Sequence, residues 1–124
     1  MIRLVLVDDQ SIVRQGLRRR LTLEPDMTVV GEASNGREAM TLVQQLTPDI
    51  VLMDVEMPEM DGISATAVMR ASAPHSAVVL LSIYDDVSTR ARGHAAGAAA
   101  FVDKSGAIEV LIATIRQAAE HKKT

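Results

Sequence analysis

The chain has 124 residues, 48% hydrophobic and 23% charged, enough for one soluble domain with its own core. No apolar stretch approaches the roughly 18 residues of a membrane helix, no secretory leader precedes the first strand, and the lack of cysteine excludes disulfides and thiolate metal sites while permitting a reducing cytoplasm. A net charge of −3 and only two aromatic residues, Tyr84 and Phe101, argue against a basic nucleic-acid face or a base-stacking surface.

Short β-rich apolar runs alternate with helical periods five times. Ile2 to Val7 reads as a first strand, followed by a helix over Ser11 to Leu23 with Val13, Gly16, Leu17 and Leu21 inward and Arg14, Arg18 and Arg19 outward. Pro25 stops that helix, and Met27 to Ala33 alternates as an edge strand does. Asn35 with Glu38 resembles a capping box and opens a helix reaching Leu46. Ile50 to Asp54 is a continuous apolar run suited to burial on both faces, and Asp61 caps a third helix ending near Ala71. Ala77 to Ser82 is a fourth strand. Asp85 or Asp86 starts an Ala- and Gly-rich helix whose small side chains bury little, so it is expected to be the most weakly anchored. Ala99 to Asp103 makes a fifth strand, Ser105 is expected to cap the last helix, and Ile108, Leu111, Ile112 and Ile115 form its apolar stripe; His121 to Thr124 reads as a frayed tail. This alternation predicts an α/β domain over residues 1–124, a doubly wound five-stranded parallel sheet with helices on both faces.

On that frame the chemistry converges. Asp8 and Asp9 follow strand one, Asp54 ends strand three, Ser82 ends strand four and Lys104 follows strand five, all at the carboxyl edge. In a sheet of order 2-1-3-4-5, strands one and three meet at the switch point where such sheets bind ligands. Three carboxylates there require a compensating cation or a raised pKa. Magnesium meets that need, because it takes a few carboxylate oxygens, keeps waters and leaves room for phosphate. With Lys104 as a second cation and Ser82 as a hydroxyl donor, the set suits phosphoryl transfer to a carboxylate nucleophile.

The pieces V-D-D at 7–9, M-D-V-E-M-P-E-M-D-G at 53–62, L-S at 81–82 and F-V-D-K at 101–104 stand in the order found in bacterial response-regulator receiver domains, which the chain resembles over essentially its whole length. The opening R-L-V-L-V-D-D-Q-S-I-V-R-Q-G-L and V-G-E-A-S-N-G at 30–36 are similar to the branch that usually carries a LuxR-type helix-turn-helix. The resemblance implies a flavodoxin-like fold and a cytoplasmic switch rather than an enzyme turning over a free substrate. It implies that Asp54 accepts phosphate from a sensor histidine kinase or a small donor such as acetyl phosphate. Asp9 and Asp54 would bind Mg2+ directly, Asp8 through its waters, and the Glu56 backbone carbonyl would be a further ligand. Lys104 would pair with the phosphoryl oxygens, Ser82 would move to hydrogen-bond them, and Phe101 would change rotamer. Phosphorylation would favour a homodimer, and DNA would be reached only through an output domain. Glu56 and Tyr84 would flank the water path and set the hydrolysis rate.

Three positions depart from the commonest receiver pattern. Ser82 stands where Thr is frequent, Phe101 where Tyr is common, and Ser105 where many receivers have a cis proline, so no cis bond is expected.

Blander readings stand beside these. Asp8 and Asp9 taken alone could cap the first helix, Lys104 could be a solvated lysine, and Phe101 could be core. Met57-Pro58 and Gly62 shape the loop after strand three, and Tyr84 is either a surface residue or a gate. The run Arg18 to Arg20 complements its helix dipole as a solvated end, or else serves docking. His75, His94 and His121 share no ligand spacing. Two other functions compete with the switch. A metal-dependent phosphatase acting on a diffusible substrate typically carries D-x-D after strand one, where this chain has D-D-Q. A flavin module cradles phosphate in a Ser/Thr/Gly-rich loop there, which Asp8 and Asp9 would oppose.

Overall fold

The computed structural model describes residues 1–123, with side chains through residue 121. The elements alternate as β1 (Ile2–Val7), α1 (Ser11–Thr22), β2 (Met27–Ala33), α2 (Gly36–Leu46), β3 (Ile50–Asp54), α3 (Gly62–Ser72), β4 (Ala77–Ser82), α4 (Val87–Ala96), β5 (Ala100–Asp103) and α5 (Ile108–Lys123). All strand pairs are parallel and the sheet order is β2-β1-β3-β4-β5, the doubly wound order expected.

The strand period of two divides the core between the sheet faces. Leu4, Leu6, Ile50, Leu52, Val79 and Leu81 pack with Leu21 of α1 and with Leu111, Ile112 and Ile115 of α5. Val5, Val7, Val51, Met53, Val78 and Leu80 belong to the opposite core, with Ala39 and Val43 of α2 and Ala65 and Met69 of α3. β3 is buried along its whole length because it is central and covered on both sides, whereas β2, at the edge, is mostly half-buried.

Helix ends follow local chemistry. The Asn35, Asp61 and Asp86 side chains accept from the backbone N–H of Glu38, Ser64 and Thr89, capping α2, α3 and α4. Asp86 rather than Asp85 is therefore the α4 cap, and Asp85 instead pairs with Arg90. Glu38 reaches back to Ser34 rather than to the cap residue's own N–H, one position off a strict capping box. In α4 only Thr89 and Gly93 are buried, in keeping with the small-residue reading of that helix. The helix stops at Gly97, whose φ of 104° lies in the left-handed region, and a Cβ there would also fall 2.4 Å from Arg70 Cδ.

Several expectations are corrected. Gly16 points to open space rather than inward, and α1 ends at Thr22, with Leu23 exposed outside it. Arg14 is not outward: its side chain is mostly covered and pairs with Glu32 of β2, as Arg18 also does. Arg20 pairs with Glu24, so two members of the basic run are tied into ion pairs. β5 begins at Ala100 rather than Ala99.

Ser105 does not cap α5. The Asp103 carboxylate captures both the Ser105 N–H and its hydroxyl, turning the chain before the helix starts at Ile108. His121 is helical, not frayed, and Thr124 lies outside the described residues.

Candidate functional site

Backbone pairing carries each polar residue to the carboxyl edge. The N–H of Asp8 extends the β1 pairing to Ala33, Val55 N–H donates to Leu81, and Lys104 N–H donates to Ser82. Asp8, Asp54 and Ser82 are thereby fixed at adjacent strand ends, and Lys104 comes up beside them from beyond β5.

Asp8, Asp9 and Asp54 each offer a carboxylate oxygen, and the three atoms lie within 4.8 Å of one another. Asp8 and Asp54 are buried and Asp9 is exposed. Lys104 Nζ lies 2.9 Å from Asp8 Oδ2 and 3.3 Å from Asp54 Oδ2. Asp8 Oδ1 accepts from the Gln10 N–H at 2.9 Å, so both Asp8 oxygens are satisfied. Asp54 Oδ1 is different: it is buried with no hydrogen-bond partner.

The electrostatics follow from this crowding. Burial, aided by the charges of Asp8 and Glu56 and opposed by Lys104, raises the Asp54 pKa to about 6. Burial alone would lower the Lys104 pKa, but its hydrogen bond to Asp8 and the nearby Asp54 charge outweigh that and raise it. Among the described residues the three carboxylates have one ion-paired ammonium, which pairs with Asp8 and Asp54, leaving negative charge and an orphaned oxygen in the same place. All-oxygen donors with uncompensated charge fit a small hard dication such as magnesium. Asp8 and Asp9 do not cap α1; Gln10 occupies the cap position without a side-chain hydrogen bond.

Ser82 is fully buried and its hydroxyl bonds the Glu56 carboxylate. The Glu56 side chain was expected beside the water path; its bond to Ser82 is what sequence reasoning missed, since nothing in a position two residues past Asp54 announces a partner on β4. Phe101 is half-buried against the core, with the Arg90 guanidinium 4.9 Å from its ring centroid. Tyr84 has an exposed side chain, and its backbone N–H donates to the Ser82 hydroxyl. The Lys104–Ser105 bond is trans. A cavity of about 560 Å³ opens between Val13 and Leu17 of α1 and Ile108 and Leu111 of α5, and Asp9, Asp54 and Lys104 also line it.

Residues 4–116 match the response regulator receiver domain family. The chain belongs to that family. It is 40% identical over 118 residues to the transcriptional regulatory protein YxjL of Bacillus subtilis, covering 95% of this chain and 54% of YxjL. It is 37% identical to the response regulator GacA of Pseudomonas aeruginosa, covering 94% of this chain and 55% of GacA. This receiver chain therefore spans about half the length of the curated relatives it matches. Among solved structures it is similar to the signal receiver domain of NarL from Mycobacterium tuberculosis, with a TM-score of 0.91, 32% identity and 96% of each chain covered. A LuxR-family regulator from Aurantimonas sp. gives a TM-score of 0.93 at 34% identity, covering 96% of this chain and 85% of that one. Among the described residues no helix is long and apolar enough to cross a membrane.

Proposed function

We propose that residues 1–124 act as one phosphoacceptor unit in which Asp54 is the nucleophile. The observation that carries this reading is the unpartnered, buried Asp54 Oδ1 within a cluster of three carboxylates, of which Lys104, the one ion-paired lysine among the described residues, pairs with Asp8 and Asp54. An Asp54 carboxylate oxygen attacks the donor phosphorus, forming an O–P bond as the P–N bond of a kinase phosphohistidine, or the P–O bond of acetyl phosphate, breaks. The leaving group keeps the bonding pair. Magnesium, held by Asp9, Asp54 and the Glu56 backbone carbonyl, would neutralise charge on the transferring group. Asp8, whose two oxygens already accept from Gln10 and Lys104, would act mainly through the metal's waters.

Lys104 pairs with the phosphoryl oxygens, releasing part of its contact with Asp8 and Asp54. The Ser82 hydroxyl turns to donate to them, and Phe101 changes rotamer with it. Hydrolysis returns the carboxylate and inorganic phosphate, with Glu56 and Tyr84 setting its rate. The chain acts in the cytoplasm as a switch under a sensor histidine kinase, dimerises on phosphorylation, and reaches DNA only through an output domain outside residues 1–124. Its own net charge of −3 is ill suited to a phosphate backbone.

The test is intact-protein mass after incubation with acetyl phosphate and magnesium. One added phosphate is expected, absent in Asp54→Asn; equal labelling of that variant would sink the assignment.

A further inference from the structure

Ser82 is 0% exposed, and the hydrogen bonds of its hydroxyl go to Glu56 and Tyr84 rather than to Asp54. Its oxygen lies 2.8 Å from Glu56 Oε2 and 3.0 Å from Glu56 Oε1, and the Tyr84 backbone N–H donates to it at 3.0 Å. A hydroxyl has one proton and two lone pairs. That proton is shared between the two Glu56 oxygens, so none remains for an acceptor on Asp54.

The pairing follows from the sheet. Asp54 is in register with Leu81, so the chain just past β3 runs beside Ser82 at the end of β4. Among the described residues the Glu56 carboxylate pairs with no cation, and the Ser82 hydroxyl is its hydrogen-bond donor. A fourth carboxylate beside three others is electrostatically unfavourable, and the hydrogen bond to Ser82 offsets part of that cost. Serine, without a second heavy substituent on Cβ, is free to rotate about χ1, so these hydrogen bonds rather than sterics hold its orientation.

We propose that the Glu56 carboxylate is a positioning residue that latches Ser82 in the resting orientation and competes with the phosphoryl group for its proton. The proposal rests on the phosphoacceptor reading of Asp54. Binding of a phosphoryl group, or of a mimic, is then an exchange of acceptors at Ser82: one charge-assisted hydrogen bond breaks as another forms. Removing Glu56 favours the activated state by sparing that breakage, and also by removing a negative charge. Only the first effect depends on Ser82.

A double-mutant cycle separates the two. The full chain is titrated with beryllium fluoride in saturating magnesium and followed by backbone amide NMR shifts, for the parent, Glu56→Ala, Ser82→Ala and the double variant. Glu56→Ala is expected to lower the midpoint concentration roughly five- to tenfold with Ser82 present, and by no more than about twofold in the Ser82→Ala background. Glu56→Gln, which preserves volume and leaves a neutral acceptor, is expected to shift the midpoint in the same direction by less. Equal fold-changes in both backgrounds would overturn the latch and leave Glu56 acting by charge alone. A parent protein whose spectrum does not respond to beryllium fluoride would instead overturn the Asp54 reading, and the latch with it.

Discussion

Gly62 packs against the backbone of Asp54 so closely that a Cβ on it would lie 2.2 Å from the Asp54 carbonyl oxygen. The Gly62 N–H also donates to the Val55 carbonyl at 2.9 Å, so the start of α3 is fastened directly to the end of β3. The neighbour is backbone, not the far end of a flexible side chain, and cannot step aside. Gly62→Ala is therefore expected to cost about 2–3 kcal/mol, measured by urea denaturation. It should also reduce acetyl phosphate labelling, because the forced shift falls on Asp54. An unchanged urea midpoint would show that the loop relaxes freely.

The raised pKa of Asp54 makes stability depend on pH in a definite direction. Its folded value is about 6 against an ordinary 3.8, so the folded protein resists ionising a group that the unfolded chain ionises readily. The contribution of this group is fully favourable below the ordinary carboxylate value and is lost as pH rises through about 6. In magnesium-free buffer at pH 7, Asp54→Asn is expected to stabilise the protein by about 1–3 kcal/mol, because each tenfold change in an ionisation equilibrium is worth roughly 1.4 kcal/mol. The gain should shrink towards zero near pH 4. Denaturant titrations of both proteins across pH 4 to about 7.5 measure it, and a pH-independent difference would refute the linkage.

Magnesium should stabilise the folded chain by mass action, because the unfolded chain does not hold Asp8, Asp9 and Asp54 together. At about 100 times the dissociation constant the expected gain is roughly 2.7 kcal/mol, read as a rise in the thermal midpoint. Asp9 is exposed, so Asp9→Asn should leave magnesium-free stability nearly unchanged while abolishing most of that rise. An undiminished rise in the variant would remove Asp9 from the ligand set.

What the sequence determined by itself was the alternation of elements and their chemistry at the strand ends. The runs at Ile50 to Asp54 and Ala77 to Ser82 are apolar enough to specify buried strands, and Asn35 and Asp61 announce helix starts by local hydrogen bonding, while the choice between Asp85 and Asp86 at α4 fell to the structure. Because parallel strands end on one edge, the gathering of Asp8, Asp9, Asp54, Ser82 and Lys104 was also legible.

Other features belong to tertiary structure because they depend on contacts between residues remote in the chain, or on local competition that residue type leaves open. The helical period could not tell that Arg14 would turn down onto Glu32, or that Gly16 would face open space. Nor could it show that Asp103 would take the Ser105 hydroxyl and delay α5 to Ile108. The direction of the Ser82 hydroxyl is the sharpest case. Residue type specified a donor beside Asp54, but only the register of β3 with β4 brought Glu56 near enough to claim its proton.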